Sequence, residues 1–416
     1  MAVVCVKKNG ARCAAVVVFA ALACGLIHAQ ESSRSSILSV MDFGAVGDGT
    51  SDDTAAINAA MNACVTRAYP KNGCVLYFPS GIYITTGIVL RPFVHMKGDG
   101  WATSVIKLRP HTRADVVTLP VDAFNFSLHG LTLDGSSSRG GRGNCFSTGT
   151  TPLSPAEWNT SNKQTAPVNA QKWGHIEEVM FSNCSADGIH IHAYNYMLFF
   201  DNFYVYHNGV YGIYTEGTNS GFSNFEIEQN GTAGIHVANA NNRFNSGEVI
   251  WNGWGNDKEA AVYVSGARNI MTAIETEDNY TNGFLDAGTN DEFIGCLSDS
   301  DGYVQKNPAA SSRKKSGFLI QGTNGVFLGD KVTSYRGRLP DGNFTAEWPY
   351  RVENPHQSRI DISYDSTNKP PAVATDGPLM EAPAEGHIAC VKSAGPPVVM
   401  GTCSSAVDSK GACRCN

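Results

Sequence analysis

The chain has 416 residues, a charged fraction of 17%, a formal net charge of −7 and 43 glycines. A net negative balance without any basic run interleaved with aromatics gives no support to nucleic-acid binding. The abundance of Gly, Asn, Ser and Thr favours strands and turns over helices, and beyond residue 30 no segment is apolar for long enough to span a bilayer.

In chain order, Lys7, Lys8 and Arg12 precede an apolar stretch from Cys13 to Ile27 and then His28-Ala29-Gln30. A basic start, a short apolar run and a small residue at the boundary predict a secretory signal over residues 1–29, hence a secreted or periplasmic protein. Ala21-Leu22-Ala23-Cys24-Gly25 offers an imperfect lipoprotein-type alternative. Asp52, Asp53 and Thr54 supply N-capping groups before an apolar pattern at Ala56, Ile57, Ala60, Met61 and Cys64. That pattern predicts a short amphipathic helix near residues 53–64, suited to capping an open end of a solenoid. Three of the 12 cysteines fall in the signal, leaving nine. Cys64 and Cys74 flank a Pro-Lys-Asn-Gly turn and are expected to form a local disulfide. Cys296 reads as a buried filler, and Cys390, Cys403, Cys413 and Cys415 form a terminal cluster.

Several short motifs fill residues 41–100: Asp42-Phe-Gly-Ala, Gly47-Asp-Gly, Asp52-Asp-Thr-Ala-Ala-Ile, Phe78-Pro-Ser-Gly-Ile-Tyr and Lys97-Gly-Asp-Gly. This text resembles the opening of pectate-lyase-superfamily proteins, among them rhamnogalacturonase-like enzymes, mannuronan epimerases and phage tailspikes. The resemblance implies a right-handed parallel β-helix and is nearly silent about the reaction, since one fold serves many chemistries. A long irregular insertion is expected from Ser136 to Gly174, with Arg139, Arg142, Trp158, Lys163 and Trp173.

From Asn183 to Phe284 the sequence repeats. Asn183, Asn208, Asn230, Asn252 and Asn279 recur at intervals in the twenties, each followed by a small residue and an alternating run, as in Gly212-Ile-Tyr-Thr-Glu and Gly234-Ile-His-Val-Ala. This period with strand-like alternation predicts an all-β solenoid of stacked coils, a parallel β-helix over residues 38–360. A Pro-rich linker (361–388) and a small cysteine-bearing tail (389–416) then follow. The Asn column is read as structural: asparagine accepts unusual backbone angles at bends, and stacked amides bond from coil to coil.

Period-two alternation places Ile189, Ile213, Ile235, Val262 and Phe284 inside and His190, Tyr214, His236 and Tyr263 outside, with His192 and Glu216 two residues further on the same face. Such a stripe suits polysaccharide chemistry, because aromatic faces stack on sugar rings and His, Tyr or Glu move protons. His192, His190, Tyr214 and Glu216 are the catalytic candidates, with Arg243 as holder of a carboxylate or oxyanion. His236, Tyr263, Trp254 and Lys258 are candidates for substrate binding. A second outward column holds Glu226, Glu248 and Glu275 behind Tyr204, with Glu228 beside it. Stacked glutamates repel unless something offsets their charge, so calcium is a candidate cofactor; solvent screening is the alternative.

Three functions remain open on this reading. A lyase or epimerase needs a base such as His or Tyr beside a uronate carboxylate. Where the mannuronan epimerases carry Asp-Pro-His-Glu, this chain reads His190-Ile191-His192-Ala193, and only His192 matches. A glycoside hydrolase needs two carboxylates, which Glu226, Glu248 and Glu216 supply, although the polygalacturonase signatures are absent. A non-catalytic glycan-binding surface protein also fits. The expected partner in all three is a polysaccharide.

Overall fold

Parallel pairing between segments about two dozen residues apart organises the protein. The computed structural model describes residues 37–68, 73–120, 123–149, 173–256, 258–302, 315–333, 348–353 and 358–364, with short strand segments between 372 and 415. The expected signal, most of the linker and the side chains of the tail cysteines lie outside the described residues. Among the described residues the strands form one 19-stranded, one 10-stranded and one two-stranded sheet, and the parallel strands of the two large sheets are the coils of a right-handed parallel β-helix.

The smaller sheet collects short strands, among them Ile189–Ile191, Tyr211–Thr215, Ala233–Val237, Ala260–Val264 and Asn282–Asp286. The larger collects long ones: Gly174–Ser182, Leu198–Tyr206, Gly221–Glu228, Arg243–Ile250 and Ile270–Glu277. Between the two sheets lies the core. Ile189, Ile213, Ile235, Val262 and Phe284 are fully buried from one side, and Val205, Ile227, Val249 and Thr276 from the other. Like residues stack from coil to coil, as in Phe200, Phe222 and Phe244, whose ring centroids are 4.9 and 4.3 Å apart. The small-residue column sits where the sheets approach: a Cβ on Gly234 would meet Val249 Cγ1 at 2.3 Å.

Two columns of left-handed backbone shape each coil. Glu178, Asn202, Asn224, Ser246 and Ala273 (φ between 48° and 54°) bend the long strands at mid-length, and Asn183, His207, Gln229, Trp251 and Asp278 (φ between 52° and 55°) turn the corner after them. Non-glycine residues there cost roughly 1 kcal/mol each, offset by the registered packing on both sides. The corner column corrects the reading of Asn183, which supplies bend geometry and not the amide ladder. In its place the Cys184 N–H donates to Asn208 Oδ1 at 2.9 Å. The ladder then runs through Asn208, Asn230, Asn252 and Asn279, each side-chain amide donating to the next carbonyl oxygen at 2.9–3.1 Å, and ends on Asp301.

The predicted helix forms as Thr54–Ala68 and buries Ile57, Ala60, Met61 and Cys64. The Asp52 carboxylate accepts the Thr54 N–H at 3.0 Å. That of Asp53 accepts from the Val46 and Gly47 N–H groups instead, fixing the preceding loop. A Cys64–Cys74 disulfide ties the helix to the strand Cys74–Phe78, and Cys296 is a buried free thiol. A second disulfide, Cys145–Cys184, was not signalled by spacing. The segment read as an insertion from Ser136 to Gly174 contains the short strand Phe146–Thr148, which pairs with Val117–Leu119 on one side and Ile189–Ile191 on the other. Its Gly-, Ser- and Arg-rich surroundings masked a strand of three residues. Residues 150–172 lie outside the described residues.

Candidate functional site

The short-strand sheet carries one outward column in continuous register: Ser147, His190, Tyr214, His236, Tyr263 and Leu285. Register follows from alternation, because each of these residues stands next to a fully buried neighbour. His190 and His192 stack with centroids 4.0 Å apart, and His190 meets the edge of Tyr214 at 5.0 Å. Tyr214 contacts His236 at 5.1 Å, and His236 stacks on Tyr263 at 4.2 Å. The expected cluster of His190, His192, Tyr214, His236 and Tyr263 is therefore contiguous. Glu216 lies beside it, close enough to act electrostatically on His192 and Tyr214.

Carboxylates at the strand entrances anchor this stripe, and the sequence did not single them out. Asp187, almost fully buried, accepts from His190 Nδ1 at 2.8 Å and from the Tyr211 N–H at 3.0 Å. Tyr211 donates its hydroxyl to Glu259 at 3.0 Å, and His236 Nδ1 lies 3.7 Å from the other oxygen of that carboxylate. Ser147 donates to Asp115. The only signal for Asp187 and Glu259 was an acid directly before the small-residue run, where the chain turns into the strand and brings its side chain onto the outer face.

Burial sets the protonation of these groups. It pushes His236 down to about 4, and burial followed by the neighbouring His190 lowers His192 below the usual histidine value. Both rings are neutral at pH 7. Burial raises Tyr214 and Tyr263, with nearby carboxylates adding to the effect, so these phenols stay protonated. Burial also raises Glu259, partly opposed by the hydroxyl of Tyr211. The stripe thus combines neutral imidazole acceptors with phenol donors.

The remaining expected residues fall elsewhere. Arg243 opens the long strand Arg243–Ile250 and is exposed, on a different sheet from His192. Trp254 and Lys258 lie in the segment between the long strand and Ala260; Trp254 donates its indole N–H to Gln229 O at 3.0 Å, and Lys258 is exposed. Glu226, Glu248 and Glu275 are in register on the long-strand sheet, with Tyr204 before Glu226. Glu228 accepts from the Tyr204 hydroxyl. Burial and then neighbouring carboxylates raise Glu226 and Glu275. Among the described residues no three His, Cys, Asp or Glu side chains are grouped to hold a metal ion; a cation on this ladder requires the glutamates to swing together.

Fold and stripe define a right-handed parallel β-helix protein with a histidine–tyrosine surface column. Residues 37–124 match the family model described as "Rhamnogalacturonase A/epimerase, pectate lyase-like", which ends before His190. The chain is 40% identical over 110 residues to mannuronan C5-epimerase AlgE2 of Azotobacter vinelandii, covering 23% of this chain and 11% of that protein. It is 40% identical over 77 residues to alginate lyase 7 of the same organism, covering 17% of this chain and 8% of the relative. The matches thus span about a tenth of the length of these relatives. Among solved structures, the A-module of Azotobacter vinelandii mannuronan C-5 epimerase AlgE4 superposes with a TM-score of 0.55 at 18% identity, covering 81% of this chain and 99% of the module. Tailspike protein 2 of an Escherichia coli O157:H7 bacteriophage gives 0.60 at 16% identity, covering 79% and 46%.

Proposed function

We propose that the protein is a carbohydrate-active enzyme whose His/Tyr stripe removes the proton beside the carboxyl group of a uronic-acid-containing polysaccharide, leading to β-elimination or epimerisation. The observation that carries this reading is the stacked pair of His190, pinned by buried Asp187 and set against the edge of protonated Tyr214 one coil away, and His192, whose ring is neutral. Similarity of part of the chain to a mannuronan epimerase and an alginate lyase supports the same chemistry.

His192 is the base: its lowered proton affinity leaves it unprotonated at pH 7, ready to take the proton from the ring carbon next to the carboxyl group. In β-elimination the electron pair of that C–H bond forms a C=C bond as the bond to the glycosidic oxygen breaks, and Tyr214 protonates the departing oxygen. In epimerisation no C–O bond breaks, and a proton returns to the same carbon from the opposite face. Asp187 positions His190, which packs the base in place. Arg243 takes no part, given its place on the other sheet. Purified protein incubated with uronate polymers, followed by mass spectrometry and NMR of the products, tests the reaction. An unsaturated end identifies the lyase, and inverted ring carbons at unchanged mass identify the epimerase. His192→Ala is expected to lower turnover by roughly 100-fold or more with folding intact. Turnover that survives this change but is lost in Glu226→Gln or Glu248→Gln moves the chemistry to the glutamate pair and hydrolysis.

A further inference from the structure

The long-strand sheet carries a second surface that the His/Tyr stripe does not use. Two grooves open on it, of ≈ 420 Å³ and ≈ 520 Å³. The first lies between Trp101 and the ladder of Glu226, Glu248 and Glu275; the second, at the coil corner, is lined by His207, Trp251, Trp254 and Tyr280. An unbroken aromatic path joins them. Trp101 leans edge-on against Tyr204 at 5.9 Å, Tyr204 stacks on Tyr206 at 5.8 Å, Tyr206 meets His207 at 5.6 Å, and His207 stacks against Trp254 at 6.5 Å.

Trp101, Trp251 and Trp254 are 45%, 43% and 54% exposed, a cost the fold does not repay by burial. Each ring nonetheless has a polar or aromatic contact: Trp254 donates to Gln229 O, Trp251 Nε1 lies 3.4 Å from Asp278, and Trp101 rests edge-on against Tyr204. Solvent-facing aromatic planes at successive positions suit the apolar faces of sugar rings. The polar lining sets the charge of the sugar. Three glutamates line the first groove and Asp278 the second, while among the described residues no Lys or Arg lines either. Burial and mutual repulsion already raise Glu226 and Glu275, so a polyanionic chain would add to an unfavourable field. Hydroxyl or amine donors would relieve it through charge-assisted hydrogen bonds.

We propose that this surface is a second glycan-binding track, separate from the His/Tyr stripe and selective for a sugar chain that bears donors and no acidic groups. Calorimetric titration of the full chain, with chelator present, tests it against three oligomers: an uncharged gluco-oligosaccharide, a glucosamine oligomer and a hexuronate oligomer. Binding of at least one anion-free oligomer is expected. Trp101→Ala and Trp254→Ala, both at exposed positions, should each weaken it roughly tenfold, Glu248→Gln should weaken it further, and His192→Ala should leave it unchanged. The uncharged and amino-bearing oligomers distinguish hydroxyl recognition from ammonium recognition. No binding of either anion-free oligomer, tighter binding of the hexuronate that is sensitive to the Trp changes, or affinity indifferent to those changes would each overturn the proposal. Loss of binding in His192→Ala alone would place the ligand on the stripe and overturn it too.

Discussion

His236 shows how a single side chain in the stripe serves the site at a cost to the fold. It is wedged between Tyr214 and Tyr263, its Nε2 lies 3.1 Å from the Ser265 hydroxyl, and burial pushes its pKa down to about 4. A histidine whose folded value lies below its unfolded value of about 6.5 contributes stability that is complete above that value and is lost as pH falls toward 4. The loss across that window is on the order of 3 kcal/mol. His236→Gln, which keeps polarity without a titrating ring, should therefore lose less stability between pH 6.5 and 4 than the parent, as read by urea unfolding at each pH. Equal acid sensitivity in the two proteins would mean that the buried ring is protonated without penalty. The same logic bears on His192, whose lowered value should place the acidic limb of any pH–rate profile below the ordinary histidine range, while raised Tyr214 keeps the alkaline limb late.

At the scale of elements, what was legible in the sequence was whatever repeats. The outward column of His190, Tyr214, His236 and Tyr263 and the inward column beside it were both readable, because alternation and coil period leave one register that buries Ile189, Ile213 and Ile235 together. Singular features were not. Asp187 and Glu259 enter the stripe from turns, where no period applies; Ser147 sits in a strand too short to show alternation; and Asn183 differs from the true ladder by one residue, which only backbone angles reveal. The true ladder makes a strong demand. Asn252 accepts the Asn230 backbone and side-chain N–H groups, and donates to Asn279 and to two carbonyls. Asn252→Leu would leave buried partners unsatisfied and should cost roughly 3 kcal/mol or more in urea unfolding.

The glutamate ladder makes the opposite prediction: Glu248→Gln should raise Tm at pH 7 by removing repulsion, with the difference fading at acid pH, where the carboxyls are protonated. Calcium should produce a smaller rise that chelator reverses and Glu248→Gln abolishes; melting indifferent to calcium would leave the ladder without a cation.

Across the whole molecule, the two amide ladders end on buried acids, and this gives the β-helix an unusual response to pH. Asp301 closes the ladder through Asn279, accepting from it at 2.8 Å and from the Ser298 and Thr276 hydroxyls. Asp291 closes the second ladder, through Asn242 and Asn269. Asp286 accepts the Gly288 N–H. Burial pushes Asp301 and Asp286 up to about 7 and Asp291 up to about 6, against the opposing effect of these hydrogen bonds. A carboxyl whose folded value is raised above its unfolded value of about 3.9 destabilises the fold while charged, and the protein gains stability as pH falls through the folded value. Between pH 7.5 and 5 these three groups act in the direction opposite to His236, and they outnumber it. Tm should therefore rise on mild acidification and turn over only nearer pH 4. Asp301→Asn keeps the oxygen that receives the Asn279 amide and removes the buried charge, and the two hydroxyls can rotate to accept from the new NH₂ group. This variant should melt higher than the parent at pH 7.5 and show a flatter dependence between pH 7.5 and 5. A variant that melts lower at every pH would show that Asp301 is held ionised by its hydrogen bonds and that the ladder needs the charge.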